Sequence, residues 1–266
     1  MSARRQFAIS ASFPQPFPRE RFEEPPADDE VPVASRSSTR VRVAATPASQ
    51  ATYVLVPELR KPAVAPGSLS CDPQPRLQVD DLLLRPWHPD DAAALVHAYG
   101  DPSIQRWLVR SMNEREALEW VRSRADHWEQ ETGADWAVVR GDVVIGRVAL
   151  RKLDLLDGVG EATYWVTPTA RGESVASRGL RAMSEWFFAR GDFHRIELDH
   201  STLNPASCRV ALRAAFAAEG TRRQAVLHAD GWHDMHLHAR LSTDGDERGP
   251  QSDPTAPEGA RSPSSG

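Results

Sequence analysis

The stretch from Thr163 to Phe187 constrains the fold more than any other, because it reads as a strand that runs through a short turn directly into a helix. Thr163, Tyr164, Trp165 and Val166 are β-formers. Pro168 has no N–H to give to a ladder and ends the strand. From Ala176 onward, apolar residues recur at Leu180, Met183 and Phe187 with helical spacing. The intervening Arg171-Gly172-Glu173-Ser174-Val175-Ala176 is therefore a helix N-terminus. Its backbone N–H groups lack intrahelical acceptors and point outward at the positive end of the helix dipole, an arrangement that binds a pyrophosphate.

Such a junction needs a sheet to join, and the flanking sequence supplies one. Residues 82–85 (LLLR) predict a strand, and Pro89 with Asp90 and Asp91 opens a helix that runs to Tyr99 and stops at Gly100. Asn113 with Glu116 forms a capping-box pattern for a second helix carrying Leu118, Val121, Ala125 and Trp128. Residues 136–140 and 143–151 predict a hairpin around Gly141-Asp142. After the strand 162–166, the turn and a helix to Arg190 come a strand at 194–201 and a helix over about 205–217. A last hairpin pairs 224–228 with 232–241 around Asp230-Gly231. The order β-α-α-β-β-β-α-β-α-β-β describes a mixed α/β sheet.

Composition sets the limits of that core. Of the 21 prolines, 12 lie in residues 1–75 and 4 after residue 241, whereas all 8 tryptophans fall between Trp87 and Trp232. One packed domain is expected at 78–241, a size that buries a real core. The flanks 1–77 and 242–266 are rich in Pro, Ser and charge and are expected to be disordered, with only residues 51–56 (ATYVLV) showing strand character. The opening SARRQF has the paired arginines of an export signal, but Pro14, Pro16 and Pro18 interrupt the apolar region that such a signal needs. No run approaches the roughly 18 apolar residues that span a membrane. Two cysteines imply no disulfide framework and fit a reducing cytoplasm, and a net charge of −5 argues against a nucleic-acid binder.

Residues 171–176 resemble the coenzyme A signature Arg/Gln-x-x-Gly-x-Gly/Ala of the GNAT superfamily of N-acetyltransferases. The flanking Tyr164-Trp165-Val166, the approach Pro168-Thr169-Ala170-Arg171-Gly172 and the later Asn204-Pro205-Ala206-Ser207 are most similar to the RimJ/RimL-like, ribosomal-protein N-terminal acetyltransferase branch. The resemblance covers 82–241 and implies an α/β GNAT fold, a mostly antiparallel sheet whose central strands splay apart between helices. It implies acetyl-CoA as co-substrate, no metal, and an amine-bearing acceptor that is a protein N-terminal α-amine or a small molecule. A cytoplasmic monomer or homodimer without nucleic-acid or membrane partners is expected. By the same resemblance Arg171, Gly172, Glu173, Ser174, Val175, Ala176 and Ser177 hold the cofactor's phosphates, Asn204 and Ser207 face its pantetheine region, and the backbone N–H near Val166 serves the oxyanion. Ser174, Thr163 and Ala215 stand where the family has glycine. These departures motivate the alternative of a degenerate GNAT domain that binds coenzyme A or a peptide without catalysis. At Ser174 a helical backbone is expected, with the hydroxyl free to donate to a phosphate oxygen.

Acyl transfer to an amine needs a neutral nitrogen, donors for the developing oxyanion and a proton for the leaving thiolate. The tyrosine that many GNAT enzymes use as acid is replaced by Ala211. Glu161, at the place of a glutamate common in this branch, and Glu197, between Ile196 and Leu198, are the candidate bases, each with a pKa that burial would raise. An α-amine, with a reference pKa of about 8, needs less help than a lysine at about 10.4. His228, His233, His236 and His238 cluster late in the chain. Strand parity places His236 and His238 with Asp234 on one face and His233 on the other, which argues against one metal set. Trp120 and Trp128, at helical spacing, read as core. Arg106, Arg110, Arg115, Arg122 and Arg124 read as a solvated basic face or as an attraction for an acidic acceptor.

Overall fold

The computed structural model describes residues 60–190 and 193–245. The expectations for residues 1–59, including a strand at 51–56, and for the tail from residue 246 lie outside the described residues. Within them runs one eight-stranded sheet in the order β1-β2-β3-β4-β5-β6-β8-β7. Its strands are β1 (Leu77–Val79), β2 (Leu82–Pro86), β3 (Gly133–Arg140), β4 (Val143–Asp154), β5 (Val159–Val166), β6 (Arg195–Ser201), β7 (Ala217–His228) and β8 (Gly231–Leu241). The helices are α1 (Ala92–Gly100), α2 (Pro102–Leu108), α3 (Glu114–Glu129), α4 (Val175–Ala189) and α5 (Pro205–Arg213). The expected order is present, with three additions: β1, α2 and a β7 that starts seven residues early, at Ala217 instead of residue 224. The start of α2 carries its own signal, Asp101 as N-cap accepting the N–H groups of Ser103 and Ile104, and Pro102 at the first helical position.

Alternation along the strands builds two cores. Trp136, Val138, Val148 and Leu150 pack with Leu180, Met183 and Phe187 of α4 on one face. Ala137, Val139 and Trp165 pack with Leu95, Tyr99, Ala117 and Val121 of α1 and α3 on the other. At Gly179 a Cβ would lie 2.9 Å from Cγ2 of Val148, so glycine lets α4 settle close on β4.

The packed domain begins well before residue 78, where composition placed its edge. Val64 and Leu69 are fully buried in the α4-side core. Glu131, just past α3, accepts the backbone N–H groups of Gly67, Leu69 and Ser70 at 2.6, 2.6 and 3.0 Å. The indole N–H of Trp136 donates to the carbonyl of Pro75 at 2.8 Å. Among the described residues no helix is long and apolar enough to cross a membrane.

Candidate active site

The sheet opens in its middle. β5 and β6 are parallel partners only at Val159↔Arg195, Gly160↔Ile196 and Glu161↔Glu197. Beyond that point β5 stays with β4, while β6 continues along β8 to Ser201↔Met235. Thr167 donates its N–H to the Ile145 carbonyl, so that pair is the hydrogen-bonded one. By the antiparallel alternation, Tyr164 and Val166 turn their N–H and C=O groups away from β4, into the gap that β6 has left, whereas the N–H of Ala162 still belongs to the last parallel pair, Glu161↔Glu197. The side chain of Arg171 reaches back into it, its Nε donating to the carbonyl of Val166 at 3.2 Å.

α4 starts at the mouth of this gap. Asp101, Asn113 and Asn204 cap α2, α3 and α5 with their side chains and α1 continues a 3-10 turn at 89–91, but α4 has no side-chain cap. Its first N–H groups are left for an acceptor from outside. Gly172 takes φ +85° in open space, with no atom within 4 Å of where a Cβ would sit. Ser174 takes φ +58°, ψ +18°, which corrects the expected right-handed helical backbone: the residue sits in the left-handed region just before α4. Charged contacts hold the turn from outside. Arg140 pairs with Glu173 and with Asp81, each at 2.7 Å, and Arg178 in α4 pairs with Asp81 at 2.5 Å and Asp80 at 3.0 Å.

α5 starts on the opposite side of the gap. Asn204 is its N-cap, accepting the N–H of Ser207 at 3.1 Å, and the Ser207 hydroxyl meets the phenol of Tyr164 at 2.7 Å. Burial pushes the Tyr164 phenol up to about 12, so it stays protonated as a hydrogen-bond partner.

The model for the acetyltransferase (GNAT) domain family matches residues 81–217. The chain belongs to this family. The ribosomal-protein-serine acetyltransferase of Escherichia coli is 25% identical over 142 residues, covering 51% of this chain and 79% of that protein. Among solved structures, RimL, a ribosomal alpha-N-protein acetyltransferase in complex with coenzyme A, superposes with a TM-score of 0.60 at 21% identity, over 63% of this chain and 98% of that one. The microcin self-immunity acetyltransferase MccE, in complex with acetyl-CoA and AMP, does so with a TM-score of 0.57 at 16% identity, over 61% and 93%.

In this GNAT domain the two candidate bases face each other across the last parallel pair, at the closed end of the gap. At about 3.3 Å per residue, Glu161 lies roughly 16 Å along β5 from Val166. The two cannot both touch one reacting carbon, so with the oxyanion held at Val166 a base at Glu161 would have to act through water. The pKa of Glu161 is not raised. Burial alone would raise it, but Lys152, at 2.7 Å, and Arg151 outweigh burial and hold the carboxylate below its ordinary value. Glu197 accepts a hydrogen bond from Arg195 Nε at 2.8 Å.

On the α3 side of the sheet a cavity of about 400 Å³ reaches Thr163 of β5; Tyr99, Trp120, Arg124, Asp135 and Arg147 also line it. Arg147 grips Asp135 with Nε at 2.8 Å and Nη2 at 2.5 Å. Burial works against its charge, yet Asp135 keeps the guanidinium well above its ordinary pKa. Arg124 lies 3.7 Å from the same carboxylate, and Arg110, Arg151 and Lys152 complete a predominantly basic wall. Of the arginines singled out by sequence, Arg110 and Arg124 belong to this wall, whereas Arg115 pairs with Glu119 on the exposed side of α3. Sequence reasoning missed Arg147 and Asp135. Their signal is a charged residue inside each of the otherwise apolar stretches 133–139 and 143–150.

The four late histidines divide as parity requires. His233 stacks on His228 with ring centroids 4.2 Å apart and meets the hydroxyl of Ser201 at 2.8 Å. His236 and His238 face the α5 side and join His200 and Cys208.

Proposed function

We propose that this GNAT acetyltransferase moves the acetyl group of acetyl-CoA to the α-amine of a protein N-terminus, preferring acceptors with acidic residues near it, in the cytoplasm. One observation carries the reading: an uncapped helix N-terminus, reached through Gly172 and Ser174, opens onto a strand edge at Tyr164 and Val166 that β6 leaves unpaired and that can take an extended arm. When bound, acetyl-CoA supplies an activated thioester. The backbone of Val166 would hold the arm near the phosphates, and the N–H of Tyr164 would be the donor for the reacting carbonyl. Ser207 and the Tyr164 phenol offer hydrogen bonds on the α5 side.

The acceptor reading rests on basicity and charge. A carboxylate held below its ordinary pKa, as Glu161 is, makes a poor base for a lysine and an adequate partner for an α-amine that is already partly neutral. The basic cavity wall suits an acidic chain. Its relative's acceptor, a ribosomal-protein serine, gives the first peptide to try. The alternative of a degenerate binder loses two of its three motives, because Ser174 and Ala215 hold the left-handed conformations that glycine would supply, at φ +58° and +65°, and keeps only Thr163.

Thiol release from acetyl-CoA should be followed with peptides that begin with serine, with acidic or basic residues downstream, and with N-acetylated controls. Release that requires a free α-amine and is faster for acidic peptides supports the proposal. Calorimetric binding of coenzyme A with no release for any peptide would leave a binding domain.

A further inference from the structure

The pairing of β6 with β8 does what sequence spacing alone could not show. His200 lies directly across from His236, and Leu198 across from His238, so the period-two pleat puts His200, His236 and His238 on one face. α5 crosses that face and adds Cys208 from its first turn. The four ligand-type atoms lie within 4.8 Å of one another; His238 is fully buried and His200 nearly so.

The hydrogen bonds around two of these rings do not close with neutral imidazoles. His200 Nδ1 lies 2.8 Å from the carbonyl of Ser201, and His238 Nδ1 lies 3.3 Å from the carbonyl of Phe216. A carbonyl only accepts, so each Nδ1 carries a hydrogen. The two Nε2 atoms, 3.1 Å apart, then turn lone pairs toward each other. Three contacts in a row call for three hydrogens, and two neutral rings carry two. An ion that takes both Nε2 lone pairs would close the set.

We propose that His200, Cys208, His236 and His238 form a binding site for one divalent transition-metal ion, with Zn²⁺ the best match. One thiolate and three imidazoles are a zinc ligand set, and each Nδ1–H held by a backbone carbonyl is the outer-shell contact that orients a metal-bound imidazole. With zinc–nitrogen bonds of about 2.0 to 2.1 Å and a zinc–sulfur bond of about 2.3 Å, the edges of a tetrahedron run from roughly 3.3 to 3.7 Å. The His200–His238 edge, at 3.1 Å, is already near that length, and side-chain rotations close the wider ones. Binding releases the Cys208 thiol proton to solvent, and the thiolate offsets half of the ion's charge. The ion would tie β6, β8 and α5 together one residue after Ser207, beside the gap in the sheet.

The untagged full chain, stripped with a chelator, should be titrated with Zn²⁺ and, separately, with Co²⁺. The expected result is one equivalent of Zn²⁺ per chain, a higher melting temperature with the ion bound, and a Co²⁺ spectrum with tetrahedral d–d bands and a sulfur-to-cobalt charge-transfer band. Cys208→Ala should abolish the charge-transfer band, and Cys208→Ala and His236→Gln should each weaken binding roughly tenfold or more. Both positions are only half-buried, and the metal-free melting temperature of each variant checks that it folds. Binding well below one equivalent by the folded wild-type chain, or variants that keep wild-type affinity, would overturn the site.

Discussion

Glu131 takes the backbone N–H of Leu69 on its carboxylate at 2.6 Å, fastening a segment of low apolar content to the end of α3. The contact decides where the domain starts. Leu69 and Val64 are fully buried, and each is worth about 1.5 to 3 kcal/mol of hydrophobic stabilisation. A chain that begins at residue 76 also loses the acceptor for the Trp136 indole, the carbonyl of Pro75. Compared with a chain beginning at residue 58, it should melt roughly 10 °C or more lower. Equal melting temperatures would show that the segment merely rests on the core.

The same carboxylate gives a pH signature. Burial alone would raise the pKa of Glu131, but the N–H groups of Gly67, Ser70 and Leu69 together outweigh it and hold the folded value below the ordinary 4.5. A group whose pKa is depressed on folding contributes stability above its unfolded pKa and loses it as pH falls through the folded one. Glu131→Gln should therefore lower the melting temperature by a constant amount from about pH 6 upward. The gap should narrow progressively below pH 4.5. A gap independent of pH would mean that the lost contact is one of shape, not of charge.

Ser174 and Ala215 both hold left-handed backbone, at φ +58° and +65°. Ala215 completes a Schellman turn after α5, with its own N–H on the Leu212 carbonyl and that of Phe216 on the Ala211 carbonyl. A non-glycine residue in this conformation costs about 1 kcal/mol or more, partly offset by the flexibility glycine adds to the unfolded chain. Ser174→Gly and Ala215→Gly should each raise the melting temperature by about 2 to 4 °C. The strain at Ser174 exists without a ligand, so Ser174→Gly should change coenzyme A affinity by less than about threefold. A tenfold loss would show that the hydroxyl holds a phosphate.

What could be read from the sequence is what neighbouring residues decide among themselves. The strand end at Pro168 and the helix beginning near Ala176 are local signals, and they place the turn correctly. His236 and His238 share a face by parity alone, but His200 and Cys208 join them only through the β6–β8 register, which no local pattern encodes. Val64 and Leu69 were hidden because a few buried apolar residues in a Pro- and Ser-rich stretch do not change its composition. The splay beyond Glu161 is a choice of partner by two strands, and no local pattern encodes it.

The distance and the charge around Glu161 fix what its removal should do. As a general base its strength falls with its pKa, which Lys152 and Arg151 hold down against the effect of burial. If its task is instead to neutralise those two cations, Glu161→Gln should lower kcat by less than about tenfold, far short of the 100-fold or more that loss of a base brings. The uncovered charges should then show in binding: KM should fall for acidic peptides and rise for basic ones. The rising limb of kcat/KM with pH should follow the peptide's own α-amine, near pH 8, in both enzymes. A 100-fold loss of kcat together with a displaced limb would restore Glu161 as the base.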